Sequence, residues 1–138
     1  MVLDTNIVLD MYVFNDPASN AIKAAMEAGA VQWIATTVMR DELERVLAYP
    51  HIMAKLKFCK IPAESVLAQF DQWVQLQQVA AKAPVVCKDP DDQKFIDLAV
   101  AQRAMILSKD NAVLCMKKRL LSLGVIAQTA ISLVANRI

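Results

Sequence analysis

Four carboxylates stand at the edges of apolar segments: Asp4 in Val2-Leu3-Asp4-Thr5-Asn6, Glu42 in Arg40-Asp41-Glu42-Leu43-Glu44, Asp92 in Asp89-Pro90-Asp91-Asp92-Gln93, and Asp110 after Ile106-Leu107-Ser108-Lys109. They are spread along the chain, so only a fold can bring them together. Carboxylates gathered without basic partners repel each other and demand a cation. Hard oxygen ligands select Mg²⁺ or Mn²⁺, ions that commonly serve phosphoryl chemistry. The first functional expectation is therefore a divalent-metal site.

Other chemistries lack the residues they need. There are two glycines, Gly29 and Gly124, so no glycine-rich phosphate loop can form. The single histidine, His51, gives no support to Ser-His-Asp machinery. It follows Pro50 in what reads as a loop, which suits a surface or capping role. Cys59, Cys87 and Cys115 sit alone and far apart, with no zinc-ligand spacing, and read as reduced, structural thiols. Fifteen Lys plus Arg against 14 Asp plus Glu give a formal charge of +1, so phosphate binding must be local rather than global.

The elements that would position the acids come next. A length of 138 residues suits one domain, and an apolar fraction of 57% supplies a full core. No apolar run reaches the roughly 18 residues of a membrane span, and the start lacks signal-peptide features, so a cytoplasmic protein is expected. Val2-Leu3, Val31 to Ala35, Val85 to Cys87, Met105 to Leu107 and Val125-Ile126 read as short buried strands. Asp16-Pro17 reads as a helix start, and Gly29 as that helix's end. Thr36 or Thr37 caps a helix to Ala48. Pro62 opens an amphipathic helix that includes Phe70, Trp73 and Val74. Further helical patterns run near Asp91 to Arg103, Ala112 to Leu121 and Thr129 to Asn136. Strands alternating with helices predict an α/β fold around a parallel sheet.

Each acid also has a purely structural reading. Asp4 and Asp110 close strands, where ligands bind in open α/β sheets, but an aspartate there is also a common helix cap. Glu42 flanks the apolar face made by Met39, Leu43, Val46 and Leu47, whereas Asp41 points almost opposite. Its plain reading is a solvated rim charge. Asp92 sits one turn before Phe95 and Ile96, with Asp91 beside it and Asp89 as a candidate cap. All three complement the helix N-terminus, yet repel one another.

The ordered set Asp4-Thr5-Asn6, Glu42-Leu43-x-x-Val46-Leu47-x-x-Pro50, Asp89-Pro90-Asp91-Asp92-x-x-Phe95-x-x-Leu98-Ala99 and Ser108-Lys109-Asp110 resembles the PIN-domain family, in its branch of toxin components of toxin–antitoxin systems. The resemblance runs from about Val2 to Leu114. It implies a three-layer α/β/α sandwich with a mostly parallel sheet. It also implies a metal-dependent nuclease, usually acting on RNA, with Asp4, Glu42, Asp92 and Asp110 as catalytic and metal-binding acids. Thr5, Asn6, Asp91 and Ser108 would support them. One departure is plain: the last motif of the family commonly reads Thr-Gly-Asp, and Lys109 replaces the glycine. Lys109 would either blunt the site's negative potential or contact phosphate.

On this reading Mg²⁺ or Mn²⁺ polarises a phosphoryl oxygen, and the ion, Asp92 or Glu42 activates the attacking water. Lys109, Lys117 and Lys118 are candidate RNA contacts; Lys55, Lys57 and Lys60 form a second basic cluster, and a solvated helix face accounts for either cluster equally well. Trp33, Trp73 and Phe70 fit a core or interface better than a stacking platform. The expected partners are an RNA substrate and a cognate antitoxin, with no membrane and a homodimer left open. The alternatives are PIN nuclease work in RNA processing or on DNA, and a degenerate PIN module that only binds.

Overall fold

The structure, a computed structural model, describes residues 1–130. Five short strands carry the sheet: β1 (Val2–Leu3), β2 (Trp33–Ala35), β3 (Val74–Leu76), β4 (Ile106–Leu107) and β5 (Ala127–Gln128). The helices are α1 (Thr5–Tyr12), α2 (Asn20–Glu27), α3 (Thr37–Leu47), α4 (Pro50–Cys59), α5 (Ala63–Trp73), α6 (Gln93–Gln102), α7 (Asn111–Leu114) and α8 (Lys117–Ser122). Every strand pair is parallel: β1 with β4, β4 with β5, and β2 with β3. The Met1 carbonyl accepts from the Ile34 amide at 2.9 Å, and the Met1 ammonium donates to the Gln32 carbonyl at 2.6 Å. These bonds bridge the two-stranded sheet β2-β3 to the three-stranded sheet β1-β4-β5, setting β2 beside β1 in the spatial order β3-β2-β1-β4-β5. The fold is the expected mixed α/β arrangement, a parallel sheet flanked by helices.

This order places the site. From β1 the chain winds outward through β2 and β3, then returns to lay β4 on the other side of β1. Beyond the carboxyl ends of β1 and β4 lies the crevice where such sheets bind ligands. The two strands hold two residues each, but all four side chains are buried. They belong to one apolar cluster with Ile7, Leu43, Phe95, Ile96 and Leu98. Trp33 meets Phe70 edge to face at 5.1 Å within that cluster, as a core role requires.

Several local expectations are corrected. Val85 to Cys87 is not a strand. The Gln93 side chain takes the place of a neighbouring strand, accepting from the Cys87 amide at 2.6 Å and donating to the Val85 carbonyl at 3.0 Å. Val74 does not extend α5; it starts β3, whose carboxyl end is anchored by the Gln77 amide on Ala35. The last strand is Ala127–Gln128 rather than Val125-Ile126, although the Ile126 carbonyl already accepts from Ile106. The segment from Ala112 to Leu121 is two helices, interrupted at Cys115 and Met116. His51 is not in a loop: Pro50 opens α4, with no donor to leave unpaired in the first turn. Asp16 caps Ala18 as expected, but over a 3₁₀ turn (Pro17–Ser19) that precedes α2.

The cysteines also differ from expectation. Cys87 and Cys115 are not far apart in space, because both thiols donate to the Ala112 carbonyl, at 3.3 and 3.4 Å. The expected helix from Thr129 to Asn136 lies almost wholly outside the described residues. Among the described residues no helix is long and apolar enough to cross a membrane.

Candidate active site

Asp4 is set by the sheet. Its amide donates to the Leu107 carbonyl at 3.0 Å, and its carbonyl accepts the Ile7 amide, starting α1. It occupies the cap position, yet its side chain makes no capping bond. Instead its Oδ2 accepts from the Ser108 hydroxyl at 2.7 Å, wholly inside the protein. Ser108 Oγ in turn accepts from the Asp110 amide at 3.0 Å. One buried hydroxyl therefore spaces the first and fourth acids.

Asp110 does cap, giving one oxygen to the Ala112 amide at 2.9 Å, at the start of α7. Asp92 is different again. The task of capping the 3₁₀ turn (Pro90–Asp92) falls to Asp89, which accepts from the Asp91 amide at 3.0 Å. Asp92 is thereby free of backbone duty and turns into the cleft, buried, while Asp91 stays exposed. Both Asp91 and Asp92 border the cleft, but burial separates their environments.

Asp4, Asp92 and Asp110 each present an oxygen, and these oxygens lie within 4.8 Å of one another. Asp92 Oδ2 is buried with no hydrogen-bond partner among the described residues. Burial pushes the Asp92 carboxyl up to about 8, helped by the Asp110 carboxyl beside it and by the charges of Asp4, Asp110 and Asp89. Asp4 is raised as well, first by burial and then by Asp110 and Glu42, with Ser108 pulling the other way. Three acids, one orphaned oxygen and, among the described residues, no Lys or Arg paired to them fit a hard divalent ion. Asp4, Asp92 and Asp110 are the residues that would hold a divalent metal ion.

Glu42, on α3, borders the same cleft but lies outside this triplet. Its Oε2 faces the Lys94 ammonium at 2.8 Å. That contact is a charge contact rather than an aligned hydrogen bond, since the same oxygen has no well-directed donor. The acids are thus not wholly without basic partners, contrary to the sequence reading. Lys94 also donates to the Asp91 carbonyl. Nothing in the local sequence marks it, because its pairing joins α3 to α6 across the cleft.

The supporting residues are divided. Ser108 takes part through its hydroxyl, and Thr5 and Asn6 line the cleft from the first turn of α1. Lys109 does not stand free for phosphate: its ammonium is held at 2.9 Å by Asp10, a buried acid of α1 that needs a cation. Lys117 and Lys118 are exposed on α8 and take part in no ion pair among the described residues. Sequence reasoning also missed three rings at the edge of the cleft, Phe14, Tyr49 and His51.

The acidic cleft, about 340 Å³ in volume, opens beyond the carboxyl ends of a parallel sheet ordered 3-2-1-4-5. Its residues fall within the part of the chain that matches a family model. A PIN-domain model covers residues 1–112, so the chain belongs to the PIN-domain family. PIN domains are generally metal-dependent nucleases, and the aspartate triplet is a group that could hold such an ion. A search of curated proteins returned no match.

Proposed function

We propose that this protein is a divalent-metal-dependent ribonuclease that hydrolyses RNA phosphodiester bonds and serves as the toxin of a two-gene toxin–antitoxin module. The observation that carries the nuclease reading is the aspartate triplet, with oxygens within 4.8 Å and a buried orphan on Asp92. Asp4, Asp92 and Asp110 hold the ion, and Ser108 keeps Asp4 and Asp110 apart at a fixed distance. Bound Mg²⁺ or Mn²⁺ supplies Lewis-acid polarisation of the phosphoryl oxygen and offsets its developing charge.

Glu42 lies outside the triplet and borders the same cleft, so it is the carboxylate left to orient water and accept its proton. Lys94 faces that carboxylate at 2.8 Å and holds it in place at the edge of the cleft. The restriction to RNA, and the pairing with an antitoxin protein, rest on the resemblance of the four motifs to the toxin branch. The test is cleavage of varied RNAs by the wild type with Mg²⁺ or Mn²⁺, with EDTA, and in Asp4→Asn. Activity that persists in EDTA overturns the reading. The toxin role is tested separately, by expressing the chain with and without the product of its neighbouring gene. Growth arrest relieved by that product is expected.

A further inference from the structure

Cys87 and Cys115 belong to segments that no sheet joins, yet both thiols donate to one acceptor, the Ala112 carbonyl, at 3.3 and 3.4 Å. Two sulfurs that share an acceptor at those distances lie no further apart than the two bonds laid end to end. Cys87 is buried, Cys115 is exposed, and both are free thiols. In such a pair the outer sulfur meets an oxidant first, and the inner sulfur is placed to resolve the product.

The two segments differ in how firmly they are held. Cys115 closes α7, its amide on the Asn111 carbonyl at 2.9 Å, between Val113 and Met116, which are wholly buried. Cys87 lies in a stretch fastened by side chains rather than by a strand. Gln93 holds the Cys87 amide and the Val85 carbonyl, and Asp97 holds the Ala83 amide at 2.8 Å. The Cys87 side is therefore the one that yields. Ala112 joins the pair to the acids: its amide donates to Asp110 at 2.9 Å while its carbonyl receives both thiols. Gln93, which holds Cys87, follows directly on Asp92.

We propose that Cys87 and Cys115 form a modification site, a dithiol that hydrogen peroxide oxidises to a reversible intramolecular disulfide, with Ala112 passing the change to Asp110. The Cys115 sulfur, as thiolate, attacks one peroxide oxygen; the O–O bond breaks, and the leaving hydroxide takes up a proton as water. Cys115 is then a sulfenic acid. The Cys87 sulfur gives up its proton and attacks the Cys115 sulfur; the S–O bond breaks, and hydroxide leaves with that proton as a second water. The two thiols have lost two electrons, and the peroxide has gained them. A dithiol reductant reopens the bond by exchange. Closure removes both S–H donors from the Ala112 carbonyl and draws the sulfurs to about 2.05 Å from each other. Residue 112 shifts, and with it the amide that Asp110 holds. Oxidation therefore loosens the acidic triplet. Only the effect on a bound ion rests on the metal-site reading above; the disulfide does not.

The test uses the full chain carrying Cys59→Ser, so that the pair supplies every thiol, first reduced and then treated with hydrogen peroxide. The intact mass should fall by about two units, the two hydrogens lost in closing the bond. A tryptic digest made without reductant should contain residues 83–88 joined to residues 110–117, and dithiothreitol should part them. Adding Cys115→Ser should abolish that species and leave the melting temperature of the reduced protein unchanged, because position 115 is exposed. Hydrogen exchange at the Ala112 amide should quicken on oxidation and return to its first rate on reduction. With the peroxide removed, Mn²⁺ should bind the oxidised form roughly 10- to 100-fold more weakly, the loss expected when an outer partner of a metal site is disturbed. Folded protein in which Cys115 stays a thiol or goes on to sulfinic acid, with no joined peptides, overturns the site. A bond found only between two chains overturns it too. A disulfide that leaves exchange at Ala112 unchanged overturns the link to Asp110. Reduced protein that binds no Mn²⁺ sinks the metal-dependent nuclease reading alone, since mass and exchange decide this inference without a metal.

Discussion

On one side of the cleft Glu42 faces the ammonium of Lys94 at 2.8 Å; on the other, Asp4, Asp92 and Asp110 face each other with no Lys or Arg paired to them among the described residues. The chain has balanced its negative charge in two ways. Glu42 has a partner built into the fold, carried by α6. The triplet has a serine hydroxyl, a helix cap and, on Asp92, a carboxyl whose proton is held up to about 8. Like charges forced together in a buried site retain protons unless something else compensates them. On the proposed reading an added cation would go to the triplet rather than beside Glu42, which already faces Lys94.

The sharpest way to break this contrast is Asp4→Asn. It removes an anionic ligand from the half that has no substitute, while Asn keeps the shape and a hydrogen bond to Ser108. Loss of an outer hydrogen-bond partner of a metal site already costs roughly 10- to 100-fold, so loss of a ligand should exceed that in both Mn²⁺ affinity and cleavage. Calorimetric titration with Mn²⁺ and RNA cleavage on the same folded sample check it. Undiminished Mn²⁺ binding in that variant would falsify the triplet as the metal centre.

The second test is pH. Asp92 has an ordinary value of 3.8 and a folded value of about 8, so the folded chain holds a proton that the unfolded chain has already released across that interval. The metal-free protein is therefore most stable on the acid side and loses stability as pH rises from about 4 to about 8. The expected fall in melting temperature is about 5 °C or more. Asp92→Asn should flatten the slope and melt above the wild type at pH 8, whereas Asp91→Asn should leave the slope as it is. Mg²⁺ should raise the melting temperature more at pH 8 than at pH 5. A flat profile for metal-free wild type would contradict the uncompensated triplet.

Lys94→Met sharpens the other half. It leaves Glu42 without its cation and adds one net negative charge to the cleft. Mn²⁺ binding should tighten by about 10-fold, the effect of one charge acting across a partly aqueous gap. Cleavage should not improve with it, because Glu42 would lose the contact that holds its carboxylate in place. Weaker Mn²⁺ binding in this variant would show that Lys94 organises the metal side rather than only neutralising Glu42. The smallest effect belongs outside the cleft. Lys117→Ala and Lys118→Ala should each lower the slope of log affinity against log salt for RNA by about 1, with little change at fixed low salt in the rate from bound substrate. An unchanged slope would return α8 to the role of a solvated face.

How far these features could be read beforehand depended on the range of the interactions behind them. That β1 and β4 are strands was legible because each is a short apolar run followed by an acid, Asp4 at once and Asp110 three residues on; that the two pair with each other was not. The choice of Asp92 over Asp91 was harder, since both flank the same helix face. It was decided by Asp89, which takes over the backbone cap. Val85 to Cys87 misled because three apolar residues look the same whether a strand or a glutamine side chain satisfies their amides. Cys87 beside Cys115, Glu42 against Lys94, and Lys109 on Asp10 were invisible for one reason: each joins elements far apart in sequence, and no periodicity encodes that distance. The rings at Tyr49 and His51 were lost with α4 itself, whose proline reads as a break until the helix it starts is recognised.

The Ser108 hydroxyl bond to Asp4 joins residues 104 positions apart. It carries a clock. At synthesis rates of roughly 5–20 residues per second, about 5–20 s pass between the making of the first acid and the making of the fourth. Throughout that interval the nascent chain has one edge of the crevice and no opposite wall, because β1 waits for β4 to pair. A chain cut short before Asp110 lacks at least one of the four acids, and so has no triplet. The complete acidic site thus comes into being only once Asp110 has been made and β4 has paired with β1.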